Sequence, residues 1–147
     1  MRKKLYTMIM LASLLVGVFG TSAFAADYVD KPFSFYVSTT YRDTSAYTKY
    51  TDSSVYIHVT EGSTSYVKVQ ALGYYSGQWI NRTVGTTANV PVSADGSSGK
   101  SRIRAALLEN NNGQPLTVKL RFPVNSQPTV VGGVWSPDCL GSYPAVN

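Results

Sequence analysis

Apolar residues recur at every second position along much of the chain, which is typical of β-strands that bury one face. In FSFYV, the apolar residues Phe33, Phe35 and Val37 alternate with Ser34 and Tyr36. Similar alternation occurs in residues 55–60, 67–71, 102–107 and 118–122, and shorter candidates are residues 79–84, 88–92 and 129–135. The pattern therefore predicts about eight short strands and almost no helix.

These segments are separated by Gly, Asn, Asp, Ser and Pro, which predicts an all-β fold, an antiparallel β-sandwich. A small closed β-barrel is the alternative, because periodicity does not show whether the first and last strands pair. Residues 38–54 lack sustained alternation and are expected to form a long surface connection. The tail from about residue 137 is expected to be loosely held.

The sequence ENNNGQP contains Asn112-Gly113, a strong signal for a type I′ hairpin turn, which needs positive φ at both central positions. The turn fixes a register in which every inward pair is apolar. The predicted pairs are Leu107 with Val118, Ala105 with Leu120, and Ile103 with Phe122. Because proline lacks an N–H group, Pro115 and Pro123 indicate that this second strand is an edge strand or is unpaired near both ends.

In this register Arg104 lies opposite Arg121, with Arg102 and Lys119 as diagonal neighbours, so four cations share one outer face. Like charges placed opposite each other destabilise a sheet. One hypothesis is a binding patch for an anionic partner, such as a cell-wall polymer, an acidic glycan or a lipid surface. The other, favoured because edge strands often carry such cations, is a solvated face that protects an open edge from aggregation.

Aromatic residues supply a second candidate surface. The chain has 11 tyrosines, all but Tyr6 beyond its first 25 residues. Tyr74, Tyr75 and Trp79 surround the predicted turn Ser76-Gly77, and this arrangement predicts an aromatic platform for stacking on sugars. The alternative is that tyrosines pack half-buried sheet surfaces while their hydroxyl groups stay hydrated.

The opening MRKKLYTMIMLASLLVGVFG, followed by Ala23-Phe24-Ala25, predicts a signal peptide over residues 1–25 and a secreted, extracellular domain over residues 26–147. Its apolar run is shorter than the roughly 20 residues of a membrane span, so no transmembrane segment is expected after cleavage. Three of the 13 Lys and Arg residues lie in this leader, which leaves ten against eight acidic residues. So small an excess does not favour nucleic-acid binding.

Catalytic chemistry finds little support in the residues. The single histidine, His58, lies in a predicted strand, and the chain lacks GxSxG and HExxH motifs. We therefore expect no enzyme, no cofactor and no metal site. Cys139 is the only cysteine, so it is either an incidental thiol or the site of an intermolecular bridge or reaction. The sequence leaves the oligomeric state open.

The leader, followed by a domain rich in Tyr, Ser and Thr, resembles exported proteins of Gram-positive bacteria. The stretch DKPFSFYV is similar to the start of a poorly characterised family of small exported β-rich proteins, some of which are encoded beside bacteriocin-type export genes. The resemblance implies export and assigns no residue a role.

Two functions follow from these features. The first is a non-catalytic binding module that attaches to an anionic polymer or glycan of the cell envelope. The second is a bacteriocin-like or membrane-active toxin. Insertion needs an outward apolar band about 25 Å tall, whereas the predicted outer faces carry Ser, Thr, Lys and Arg, which favours the binding module.

Overall fold

The computed structural model describes residues 25–95, 98–124 and 129–147, and these fold as two β-sheets packed face to face. The predicted all-β sandwich is confirmed. The predicted signal peptide lies outside the described residues except for Ala25. The strands are β1 Lys31–Val37, β2 Arg42–Asp43, β3 Tyr47–Lys49, β4 Val55–Gly62, β5 Tyr66–Tyr75, β6 Gln78–Asn81, β7 Ala88–Pro91, β8 Lys100–Ile103, β9 Leu116–Phe122, β10 Thr129–Ser136 and β11 Ala145–Val146.

One sheet, sheet I, has the strand order β1-β10-β4-β8-β11. The other, sheet II, has the order β2-β9-β5-β6, with β3 also paired to β9 and β7 to β5. Neighbouring strands are antiparallel, except that β11 runs parallel to β8. The chain crosses repeatedly between the sheets, so strands adjacent in sequence are often not adjacent in space.

The core lies between the two sheets and is built from the alternating apolar residues. Side chains from β4 and β8 of sheet I share one buried cluster with side chains from β5 and β9 of sheet II. At one end, Phe33 and Phe35 of β1 pack against Phe122 of β9, with ring centroids 5.1 and 5.0 Å from that ring. The period-two pattern therefore places the inward faces as the sequence predicted.

The predicted hairpin of β8 and β9 is wrong, because the two strands belong to different sheets. The turn itself has the expected local geometry. Asn112 and Gly113 have φ values of 53° and 71°, and the N–H of Gln114 donates to the carbonyl of Asn111 at 2.9 Å. The connection before the turn buries both Leu107 and Leu108. A strand sends neighbouring side chains to opposite faces, so burial of both residues fits a chain that crosses between the sheets.

The prolines predicted that β9 is an edge strand or is unpaired near both ends, and the first of these alternatives is wrong. β9 pairs with β5 on one side and with β2 and β3 on the other. Pro115 and Pro123 lie immediately outside its two ends. Because the prolines lie outside the strand, their missing N–H groups do not interrupt its hydrogen bonds. This is the second of the two arrangements that the prolines predicted.

Two segments, one expected to be a long surface connection and the other a loosely held tail, are instead ordered into the fold. Residues 38–54 contain β2 and β3, and Lys49 at the end of β3 is 1% exposed. The tail after residue 137 contains the fully buried Asp138 and the strand β11. Its last residue accepts a backbone hydrogen bond from Asn89 at 3.2 Å. Hydrogen bonds from Lys49, Tyr50 and Thr51 to the Asp138 carboxylate join the two segments to each other.

Candidate functional site

The outer face of sheet II brings together two of the predicted cations. Lys119 and Arg121 alternate with the buried Leu120 and Phe122 on β9, so their side chains lie on the outer face. Asp43 of β2 is the register partner of Arg121. Its carboxylate accepts from Nε and Nη2 of Arg121 at 2.8 and 2.9 Å, and Lys119 Nζ lies 2.7 Å from it. One carboxylate therefore holds both cations.

These ion pairs fix the charge state of the site. Burial alone would raise the pKa of Asp43, but the hydrogen bonds from Arg121 and Lys119 outweigh it, so the pKa lies below its ordinary value. The hydrogen bond to Asp43 likewise raises the pKa of Arg121. Lys119 and Arg121 are thus partly neutralised, and this part of the surface carries two positive charges against one negative charge.

Aromatic rings extend the ion pairs in both directions. The guanidinium of Arg121 lies 3.7 Å from the ring centroid of Tyr41, and the ammonium of Lys119 lies 4.1 Å from that of Trp79. Trp79 in turn lies 5.1 Å from Tyr74, its register partner on β5. The result is a continuous line of contacts, here called the aromatic–ionic row: Tyr41, Arg121, Asp43, Lys119, Trp79 and Tyr74.

Leu72 shows how closely the row lies against the sheet. It is the register partner of Lys119 and is 2% exposed, yet it is not part of the cluster between the sheets. Lys119 on β9 reaches Trp79 on β6 across β5, the strand that carries Leu72. The contact between Lys119 and Trp79 therefore spans the outer face of β5, where long side chains often cover apolar residues such as Leu72. The row is therefore packed in place.

The ends of the row are open to solvent. Tyr41 is 52% exposed and Tyr74 is 45% exposed. Tyr74, Trp79, Lys119 and Arg121 were predicted from the sequence as candidate binding residues, whereas Tyr41 and Asp43 were not. The signal for these two was the i, i+2 spacing in YRD, which places Tyr41 and Asp43 on one side of an extended segment.

Tyr75 does not join the row. Its side chain points inward, and its hydroxyl donates to the carbonyl of Leu107 at 2.6 Å. Burial raises the pKa of Tyr75, although the neighbouring Arg82 acts in the opposite direction. Tyr75 therefore packs against the core, as the alternative interpretation of the tyrosines expected.

The predicted four-cation face is wrong, because Arg102 and Arg104 do not lie on sheet II. Arg102 is exposed on β8 in sheet I, opposite Tyr56. Arg104 follows β8, its carbonyl accepts from the N–H of Val84 at 2.9 Å, and it borders a groove that also contains Glu109. The misassigned hairpin is the cause, since only that pairing would have joined the two arginines to β9.

The structure also contains a buried ion pair that the sequence did not indicate. Lys49 Nζ lies 3.1 Å from Asp138 Oδ1, with both side chains fully enclosed. Oδ1 also accepts from the N–H and hydroxyl of Thr51, at 3.1 and 2.7 Å, while Oδ2 accepts from the N–H groups of Asp27 and Tyr50, at 2.9 and 3.2 Å. We call these residues the Asp138 cluster: Asp27, Lys49, Tyr50, Thr51 and Asp138.

The electrostatics of the Asp138 cluster suit a structural role. Burial alone would raise the pKa of Asp138, but its hydrogen bonds from Thr51 and Asp27, together with Lys49, hold that pKa below its ordinary value. Burial lowers the pKa of Lys49, while the contact with Asp138 opposes this change. Donors from several segments occupy the Asp138 carboxylate, so it links the N-terminal segment at Asp27 to the C-terminal tail.

The remaining candidate groups have structural partners. His58 Nε2 lies 3.1 Å from the carbonyl oxygen of Ser93. Cys139 Sγ donates to the carbonyl of Gly141 at 3.3 Å, and burial raises the pKa of its thiol. Within residues 25–95, 98–124 and 129–147, no group of three or more His, Cys, Asp or Glu residues is placed to hold a metal ion. In the same ranges no helix has the length and apolar character needed to cross a membrane.

The sequence was compared with family models, with curated proteins and with solved structures. A family model described as "Protein of unknown function (DUF2712)" matches residues 21–139. Neither the curated proteins nor the solved structures gave a match. The family match agrees with the predicted relation to a poorly characterised family, while the resemblance to Gram-positive exported proteins stays a prediction.

Proposed function

The chain belongs to the DUF2712 family, and we propose that it is a secreted, non-catalytic binding module that attaches to a glycan of the cell envelope. The observation that carries the proposal is the aromatic–ionic row on the outer face of sheet II. The row combines exposed rings with fixed hydrogen-bonding groups on one sheet surface, which is what recognition of a sugar chain requires.

The chemistry of the row matches the two kinds of surface on a sugar ring. The C–H face of a pyranose is apolar and packs on the flat side of an aromatic ring, here Tyr41, Trp79 or Tyr74. Its hydroxyl groups need donors and acceptors, which Lys119 and Asp43 supply. Since the ion pairs and ring contacts already hold these side chains, little further side-chain entropy is lost on binding.

A glycan suits the row better than a polyanion does. A polyanion site needs uncompensated cations, whereas Lys119 and Arg121 share Asp43, and Arg102 and Arg104 lie elsewhere. The remaining charge of about +1 still permits a weakly acidic sugar chain. The lowered pKa of Asp43 also suits a hydrogen-bond acceptor rather than an acid that protonates a leaving group, which supports binding without catalysis.

The proposal is tested by retention on insoluble glycans. The purified protein is incubated with peptidoglycan sacculi, with the same sacculi stripped of anionic polymers, and with chitin as an uncharged polysaccharide. We expect retention on stripped sacculi or chitin, and a loss of about tenfold in affinity for Trp79→Ala or Tyr74→Ala, since such anchors commonly contribute more than 1 kcal/mol.

The matched control is Tyr36→Ala, because Tyr36 is 52% exposed, as Tyr41 is, but lies on sheet I. It should leave retention unchanged, whereas Tyr41→Ala should weaken it. Equal retention of the Trp79, Tyr74 and Tyr36 variants, or retention that disappears when anionic polymers are removed, would contradict glycan binding by the row.

A second variant separates glycan binding from charge attraction. Asp43→Asn releases the charge of Lys119 and Arg121 without changing side-chain size. A polyanion would then bind more tightly and with greater salt dependence. We expect instead that retention falls, because the row loses the acceptor that positions both cations.

A further inference from the structure

A cleft lies on the outer face of sheet I, away from the aromatic–ionic row. Its volume is about 210 Å³, below the range of about 300–1,000 Å³ that is usual for drug-sized ligands. Strands β4 and β8 form its floor, and the N-terminal segment and the tail form its walls. The residues that line it include Tyr28, Asp30, Tyr56, Lys100, Asp138 and Tyr143.

Of the charged groups that line the cleft, Asp138 is paired with Lys49, whereas the Asp30 carboxylate and the Lys100 ammonium form no ion pair with each other. Asp30 and Lys100 both line it, yet neither forms an ion pair or a side-chain hydrogen bond with another described residue. By contrast, the buried Lys49 and Asp138 contact each other, and Lys119 and Arg121 both contact Asp43. Two opposite charges within one small cleft are thus left available to a ligand.

Tyrosine rings form the other side of the cleft. Tyr56 and Tyr143 lie 5.0 Å apart, and Tyr56 is buried although it is outside the core cluster. Burial, with a smaller contribution from Asp30, raises the pKa of Tyr56 to about 12, so its phenol stays neutral at physiological pH. Asp30 and Tyr56 thus line the same cleft.

The walls of the cleft are held in position by the Asp138 cluster. The N–H of Asp27, one residue before Tyr28, donates to Asp138 at 2.9 Å, and the N–H of Asp138 donates back to the carbonyl of Asp27 at 3.3 Å. The N-terminal wall and the tail wall are thereby joined. The cleft is a built feature of the fold and does not depend on chance positions of loose chain ends.

We propose that this cleft binds a small zwitterionic group, an organic cation linked through a few bonds to an anion. Aromatic faces attract organic cations, and a nearby carboxylate strengthens that attraction, so Tyr56, Tyr143 and Asp30 receive the cation. Lys100 receives the anion. The group is either a free small molecule or a substituent at the end of an envelope polymer, and both sources present the same chemistry to the cleft.

The test measures binding of defined probes to the purified protein by ligand-observed NMR and calorimetry. Phosphocholine and alanine each carry a cationic and an anionic group, whereas choline carries only a cationic group and inorganic phosphate only negative charge. We expect at least one zwitterion to bind about tenfold more tightly than either single-charge probe. Competition by polymer fragments that carry the same group then distinguishes a polymer substituent from a free molecule.

Variants locate the binding. Asp30→Asn and Lys100→Gln should each weaken zwitterion binding about tenfold, and Tyr143→Ala should weaken it further. Lys68→Gln, an exposed lysine on sheet II, is the control and should have no effect. Absence of binding by both zwitterions, or equal binding to the Asp30, Lys100 and wild-type proteins, would overturn the proposal. Because Trp79→Ala leaves this cleft intact, failure here is distinguishable from failure of glycan binding by the row.

Discussion

The Asp138 cluster gives the strongest stability prediction, tested by Asp138→Asn. This substitution keeps the shape of the side chain but replaces one carboxylate oxygen by an NH₂ group and removes the charge. Whichever way the amide is oriented, at least one of the backbone N–H groups of Asp27, Tyr50 and Thr51 then faces a donor. Lys49 also keeps a buried charge with no counterion.

The expected loss of stability follows from these contacts. Breaking a buried ion pair from one side costs about 3–5 kcal/mol. The free energy of unfolding of a typical domain is only about 5–15 kcal/mol, so Asp138→Asn should remove at least about a fifth of it. The melting temperature should fall by about 12–20 °C, at about 4 °C per kcal/mol for a domain of this size.

Urea unfolding followed by tryptophan fluorescence measures the effect, since Trp135 is buried in the core. The control is Lys31→Gln, because the Lys31–Asp27 pair has the same 3.1 Å separation but is partly exposed and should contribute no more than about 1 kcal/mol. If Asp138→Asn fails to fold, Lys49→Met removes only the cation and should cost less, about 1.5–3 kcal/mol, because the Asp138 carboxylate keeps its N–H donors from Asp27, Tyr50 and Thr51. A loss below 1 kcal/mol for both cluster variants would refute the reasoning.

Four further predictions follow. The pKa of Asp138 is lower in the folded chain than its unfolded value of 3.8, so the stabilisation by its carboxylate is complete above pH 3.8 and is lost as the pH falls through the folded pKa. Urea midpoints measured between pH 2 and 7 should show this decline, and Asp138→Asn should make the midpoints depend less on pH. Gly113→Ala should destabilise the domain by about 1 kcal/mol in the same urea assay, because Gly113 has a φ of 71°, and an unchanged midpoint would contradict this. Cys139 should react with a thiol reagent more slowly at pH 8 than a free cysteine does, because burial raises its pKa, and denaturation should remove the difference. The protein should not release dye from anionic liposomes, whereas release would favour the membrane-active toxin.

The local sequence pattern predicted much of the fold, because the buried faces of the strands follow from the alternation of apolar and polar residues. The inward residues of β4, β5 and β9 were identified from period two alone, and Asn112-Gly113 has the positive φ values that its sequence predicted. The pairing of strands was not determined by the turn. The adjacent Leu107 and Leu108 carried the opposing signal, since two consecutive buried residues fit a crossing between sheets better than a continued strand.

The candidate site was predicted only in part, because alternation shows which face a side chain lies on but not which strand lies beside it. Lys119 and Arg121 were placed on one outer face correctly, but their partner Asp43 came from a segment without alternation. Lys49 and Asp138 are 89 positions apart, and neither lies in a pattern that indicates burial. Contacts of that kind arise from the assembled topology, so no local feature of the sequence could reveal them.

The position of β10 has a consequence for the order in which the chain acquires its structure. Among the described strands, β10 lies between β1 and β4 in sheet I, and β1 pairs with no other strand of that sheet. The first strand must therefore wait for residues 129–136 to be synthesised, and such distant pairing makes folding slow. We propose that the chain is exported. This delay would then keep the chain unfolded, as passage through a narrow translocation channel requires, until almost all of its residues had been synthesised.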